Sequence, residues 1–225
     1  LQRDDIYVDN FGIAGTSTIE HYNIFTKYIE KKDYDIVILN FFIDDFTPYY
    51  YFNTLLNEYK YCTDVMNGYE RIISFFLKSR IFEYIFVKYD IYKKSEKAGG
   101  FITPISYMII GMREESSLRY RCARHRLLEI GQRIRSSGKK GILMLIPSLP
   151  LYDSQNPYPE EMAGYETMAM MLARKGGFEV IDSIVELRDL LDQRHLVKND
   201  MHYNRDGYRL LSELLSERII PILGR

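Results

Sequence analysis

Near the end of the chain, Asn199-Asp200-Met201-His202-Tyr203-Asn204 sets a carboxylate and an imidazole two positions apart. In extended backbone, residues i and i+2 point to the same side. Asp200 and His202 are therefore expected to face one cleft, with Asn199 and Met201 turned away. A carboxylate beside a histidine fixes its tautomer and stabilises the imidazolium that forms when it accepts a proton. That is the acid–base half of nucleophilic acyl chemistry. The pattern is short, and taken alone it fits equally a surface acid and imidazole ahead of a helix. The remaining histidines have no comparable setting. Neither His21 nor His195 is paired with a carboxylate in that way, His125 lies among arginines, and His195 is near enough in sequence to border the same cleft.

Several elements must position this pair. Asn204 is a good N-cap for a final helix whose Leu210, Leu211, Leu214, Leu215 and Ile219 form one apolar face. Upstream, Ile6–Asn10 reads as a strand, and Phe11–Gly15 as a glycine-punctuated turn. Ser17-Thr18-Ile19-Glu20 has the form of a capping box opening a helix that ends near Lys31-Lys32. Residues 35–42 form a nearly unbroken apolar run, as expected for a parallel strand buried on both faces. Strand, helix and strand at this spacing make a βαβ unit.

Further on, residues 47–110 interrupt the rhythm as an aromatic helical insertion. Its Ile72, Ile73, Phe76, Phe82, Ile85 and Phe86 read either as a wall for an acyl chain or sugar, or as the filling of an extra helical layer. The second reading is preferred. An arginine-rich helix over about 116–136 buries Leu118, Cys122, Leu127, Ile130 and Ile134 and turns its arginines to solvent. Gly138 caps it. Strands follow at 141–146 and 178–182, separated by a helix that begins at Pro159. The methionines of that helix, at 162, 168, 170 and 171, read as core rather than as metal ligands.

Composition narrows the classes. The 225 residues suit a single domain spanning 1–225. A net charge of −1 gives no reason to expect nucleic acid as a partner. No apolar run reaches the roughly 18 residues of a spanning helix, and nothing in the sequence speaks directly for a membrane. Cys62 and Cys122 have neither metal-ligand spacing nor the density of a disulfide scaffold, and two buried free thiols are preferred to a disulfide between them.

Taken in order, these blocks resemble the SGNH, or GDSL, hydrolase superfamily of esterases, lipases and O-acyltransferases. Asn10–Thr16 resembles that family's second block, in which the glycine matching Gly15 lends its N–H to the oxyanion hole. Residues 35–46 resemble the third block, and Asp200–Gly207 the fifth, which carries the catalytic acid and base. The resemblance implies a three-layer α/β/α, flavodoxin-like parallel sheet of order 2-1-3-4-5. It also implies a serine acyl-enzyme mechanism with a small-molecule or carbohydrate ester as substrate and no cofactor or metal. His202 would be general base, Asp200 its orienting acid, and Gly15 an oxyanion donor.

The sequence departs from that family in three places. The Gly-Asp-Ser block with the nucleophile has no match here, and neither Ser17, a helix cap, nor Ser148, a loop residue, replaces it. Together with an opening on Leu1, this predicts a fragment or processed form whose first, central strand is missing. Asp44 stands where the family has its oxyanion asparagine, and an ionised carboxylate cannot donate to an oxyanion. Either Asp44 is protonated, another donor serves, or the site is weakened; Asn40, the nearest amide, reads as structural. Asn199 fills the position at which many members place the acid. The competing expectation is a catalytically inactive relative that binds a glycan or acyl group. A nucleotide-binding domain ranks below both, because Gly12–Gly15 lacks a dinucleotide fingerprint.

Overall fold

The computed structural model describes residues 6–13, 16–42, 45, 60–97, 118–146, 159–187, 190–191, 193–195, 197 and 202–223. The fold is mixed α/β, with a three-stranded parallel sheet of order β1-β2-β3, formed by Ile36–Phe41, Lys140–Leu145 and Glu179–Asp182. The helices are α1 (Thr18–Ile24, continued by a π-turn at Phe25–Ile29), α2 (Gly68–Phe76), α3 (Arg80–Lys97), α4 (Leu118–Ser136), α5 (Pro159–Gly176), α6 (Ser183–Glu186) and α7 (Arg205–Ile222). The chain divides into two compact units. One comprises 1–13, 32–43 and 131–225, and the other 14–31 and 44–130.

The first unit contains the sheet. Parallel ladders pair Ile36 with Lys140 through Phe41 with Leu145, and Ile142 with Glu179 through Leu145 with Asp182. β2, flanked on both sides, is buried from Gly141 to Leu145, as its continuous apolar run requires. β1 departs from expectation. Val37 and Phe41 are buried, whereas Ile38 and Asn40 are exposed, so the strand is covered on one face only. Its apolar sequence reads the same in both settings; tertiary cover decides between them. A core of Ile142, Met144, Ile146, Ile181, Leu187, Leu191, Tyr203, Leu211 and Leu214 binds the sheet to α7. Gly138 ends the turn after α4 at φ 76°, the left-handed conformation in which glycine has no Cβ penalty. Met170 is buried in α5 as expected, but Met171 is exposed.

The strand expected at Ile6–Asn10 does not form. These residues lie in no ladder, and Tyr7 and Val8 are exposed. An extended segment becomes a strand only where a neighbouring backbone takes its hydrogen bonds. Side chains hold this one instead. The Tyr34 hydroxyl donates to the Asp9 carboxylate, which pushes the phenol up to about 12, and Phe11 meets the Tyr34 ring edge-on.

The second unit is helical. Its capping box forms as read: the Glu20 carboxylate accepts from the Ser17 N–H at 2.9 Å and also from the Ser17 hydroxyl. Ile19, Cys62, Met66, Leu118 and Cys122 make its core. Cys62 and Cys122 are not free thiols. They are joined as a disulfide, with Cα atoms 5.6 Å apart. Two isolated cysteines 60 residues apart carry no spacing signal, so only the tertiary approach reveals the bond.

The arginines of α4 also differ from expectation. Arg126 is buried rather than solvated, donating to Asp64 (2.8 Å), Glu129 (2.7 Å) and the Tyr61 carbonyl (2.7 Å), with its guanidinium over the Tyr22 ring. Arg121 bonds Glu70 at 2.5 Å. Leu118, Cys122, Leu127, Ile130 and Ile134 are buried as the periodicity predicts. Of the insertion residues expected to fill a helical layer, Ile72, Phe76, Phe82 and Ile85 are exposed, whereas Ile73 and Phe86 are half-buried; residues 47–59 and 98–110 lie outside the described residues.

Candidate functional site

Of the four residues singled out for chemistry, His202 lies among the described residues, while Asp200, Gly15 and Asp44 lie outside them, as do Asn199 and Ser148. His202 lies in the segment between α6 and α7, two residues before the Asn204 cap of the last helix. Its position is fixed from both sides. The Val197 N–H donates to the His202 carbonyl at 3.0 Å, and the Asn204 N–H donates to the His195 carbonyl at 2.8 Å. Between them Tyr203 is buried in the core that joins the sheet to α7. Neighbouring side chains in extended backbone point to opposite sides, so anchoring Tyr203 inward turns His202 outward, and it is exposed.

The helix that follows is capped as the sequence requires. Asn204 Oδ1 accepts from the N–H groups of Asp206 (3.0 Å) and Gly207 (3.1 Å), and its Nδ2 donates to the Arg194 carbonyl at 2.6 Å. One asparagine therefore terminates α7 and ties it to the His195 turn, which brings His195 to the same loop. An open hollow of about 720 Å³ lies beside this loop over the exposed side of α7, lined by Arg205, Asp206, Tyr208, Arg209 and Ser212.

Gly207 is required by packing. A Cβ there would lie 2.6 Å from the His195 carbonyl oxygen and 2.7 Å from Tyr203 Cδ1. Helix propensity alone favours alanine over glycine by about 1 kcal/mol. Because the opposing atom is backbone, the overlap outweighs that gain. Gly207→Ala is expected to destabilise the fold by about 1–3 kcal/mol, read as a lower midpoint in urea unfolding with an unchanged slope.

In the second unit, the described neighbours of Gly15 and Asp44 meet. Thr18 Oγ1 donates to the Asp45 carbonyl at 2.7 Å. His21 Nε2 lies 3.0 Å from Thr16 Oγ1 and 4.0 Å from Asp45 Oδ1. Sequence reading passed over His21 because its partners are distant in sequence or lack a carboxylate. Burial pushes its imidazole down to about 4, against a smaller upward pull from Glu20, so the ring is neutral at pH 7 and the approach to Asp45 is no charged pair.

The native state therefore resists a proton that the unfolded chain accepts near 6.5. Stability is whole above pH 6.5 and falls as pH drops toward 4, by up to about 3 kcal/mol. His21→Gln is expected to flatten that fall, as measured by urea unfolding at pH 7, 5.5 and 4.5.

Among the described residues, Asp64, His125 and Glu129 are the acidic and imidazole groups close enough to share a metal ion. Both carboxylates already accept from Arg126, and His125 Nε2 lies 3.2 Å from Asp64. The cluster is an ion-pair network in which one guanidinium is shared by the two carboxylates. It joins α4 to residues 61–64.

No protein-family model, curated protein or solved structure matches the chain.

Proposed function

We propose that the chain carries the acid–base portion of an SGNH-type serine hydrolase acting on ester bonds. In this reading His202 takes the proton of the serine hydroxyl as it attacks the ester carbonyl, then returns it to the leaving oxygen. Asp200 orients the imidazole and stabilises its charged form, and the Gly15 N–H receives the developing oxyanion. The nucleophile belongs to a Gly-Asp-Ser block that none of these 225 residues matches. Water as acceptor gives an esterase, and a sugar hydroxyl gives an O-acyltransferase.

The observation that carries this reading is the setting of His202. An exposed imidazole stands on a short connection pinned by two backbone hydrogen bonds, a buried tyrosine and a helix cap. A general base needs that kind of fixed approach. Two further features support it. Parallel strands in the order β1-β2-β3 agree with the 3-4-5 half of the flavodoxin-like sheet. The segments adjoining Gly15 and Asp44 are drawn together by Thr18 and Asp45.

A fluorophosphonate probe applied to the product of the full coding sequence tests the proposal. Labelling of one serine within a Gly-Asp-Ser block, weakened by His202→Ala, is the expected result. Absence of labelling in a folded protein would favour the non-catalytic glycan- or acyl-binding reading, which a carboxylate at Asp44 also fits.

A further inference from the structure

The helices α2 and α3 are amphipathic in the wrong sense for a water-facing surface. On α2 the residue turned inward is Glu70, held there by Arg121 and by the Asn67 cap, and Leu77, just past the helix end, is also buried. Tyr69 (71% exposed), Ile72, Phe75 (68%) and Phe76 face out. On α3, Val87 is buried, while Ile81 (71%), Ile85 and Tyr92 (63%) form the opposite stripe, flanked by Tyr84 and Tyr89. The two outer faces run together through Phe76 and Phe82, whose ring centroids are 5.3 Å apart. An apolar helix face is ordinarily the covered one, and an aromatic surface this continuous marks an interaction site.

The charges on this face specify what covers it. Arg71, Lys78, Arg80, Lys88 and Lys93 are exposed, whereas Glu70 is turned inward and Glu83 is half-buried, in a protein whose net charge is −1. Lys78, Lys88 and Lys93 are exposed, and each places its ammonium 5.7–6.0 Å from the ring of Phe75, Tyr84 or Tyr89. Lysine is depleted from protein–protein interfaces. A second copy docked face to face would bring like charges together. Tyrosine rings with polar tips and lysines that keep the ammonium in water above an apolar stem suit the boundary between acyl chains and headgroups. Among the described residues no helix is long and apolar enough to cross a membrane.

We infer that the outer face of α2 and α3 is a docking surface for an anionic phospholipid bilayer, on which the two helices lie in the interfacial plane. This stands independently of the hydrolase reading. Each basic residue near an anionic leaflet strengthens partition by roughly fivefold, and the buried rings supply the rest.

Co-sedimentation of the chain with phosphatidylcholine vesicles, with and without about one third phosphatidylglycerol, tests the inference. Binding is expected to be at least tenfold stronger on the anionic vesicles and to weaken with added salt. Lys78→Glu/Lys88→Glu/Lys93→Glu is expected to lower it by at least about a hundredfold. Phe75→Ser/Ile85→Ser, at exposed positions that leave the core intact, is expected to lower it by at least tenfold, with the helical circular dichroism unchanged. Equal binding to both vesicle types, or none, would overturn the inference. So would self-association that these substitutions abolish in the absence of vesicle binding, which would make the face a protein interface.

Discussion

His202→Ala in the product of the full coding sequence is expected to lower kcat for ester hydrolysis by about a thousandfold or more, with a much smaller change in KM. In the proposed mechanism the loss falls on kcat because the imidazole would act on the proton in flight rather than on the bound ester. Asp200→Ala should be severe but milder, since the base remains and only its orientation and charge stabilisation are lost. Asn199→Ala should leave turnover within a few-fold of the parent, because the proposed assignment gives the orienting role to Asp200 and none to Asn199. The three variants therefore rank a choice that sequence spacing left open. Loss of activity in Asn199→Ala with retention in Asp200→Ala would reverse the assignment. A wild-type pH profile that lacks a limb assignable to an imidazole, or a His202→Ala enzyme of full activity, would remove His202 from the mechanism. In the same reading Tyr203, buried beside His202, would act as a positioning residue, which a further measurement distinguishes from a purely structural one. Tyr203→Leu should raise KM and lower kcat together, and also lower the unfolding midpoint.

Loss of the Cys62–Cys122 bond is expected to cost the protein about 4 kcal/mol, the chain-entropy value for closing a loop of 60 residues. Both cysteines are fully buried in the core of the helical unit, next to Ile19, Met66 and Leu118. Cys62→Ala/Cys122→Ala leaves that surface apolar, so its effect reports chiefly the cross-link, whereas Cys→Ser would add an unsatisfied hydroxyl. Urea unfolding of the oxidised protein, the reduced protein and the double-alanine variant measures the difference. Non-reducing mass analysis after alkylation under denaturing conditions should find no free thiol in the oxidised form. Two alkylatable cysteines in an air-purified sample, or equal stability of all three forms, would contradict the bond.

Local rules were enough for much of the framework. The parallel strands at 36–41, 140–145 and 179–182 follow from short apolar runs bounded by turns. The helix starts at Ser17 and Asn204 follow from side chains whose capping partners lie within three residues. Gly138 marks the end of α4 for the same reason: the demand is on its own backbone. The buried stripe of α4 was legible because helical periodicity is a property of the helix itself. His202 could be picked out because its expected partner is two residues away.

What tertiary structure decided concerns partners distant in the chain. Ile6–Asn10 has the composition of a strand but takes no place in the ladder. The sequence of α2 and α3 specifies an apolar stripe without saying whether protein or solvent meets it. In Arg126 a residue type that is ordinarily solvated is buried, because Asp64, Glu129 and the Tyr61 carbonyl converge on its guanidinium. The disulfide joins cysteines that carry no signal of each other, and His21 is neutralised by surroundings assembled from separate segments. Capping, periodicity and turn geometry act over a few residues and can be read along the chain. Burial, charge pairing and strand pairing depend on which distant segments arrive, and only the folded chain sets that.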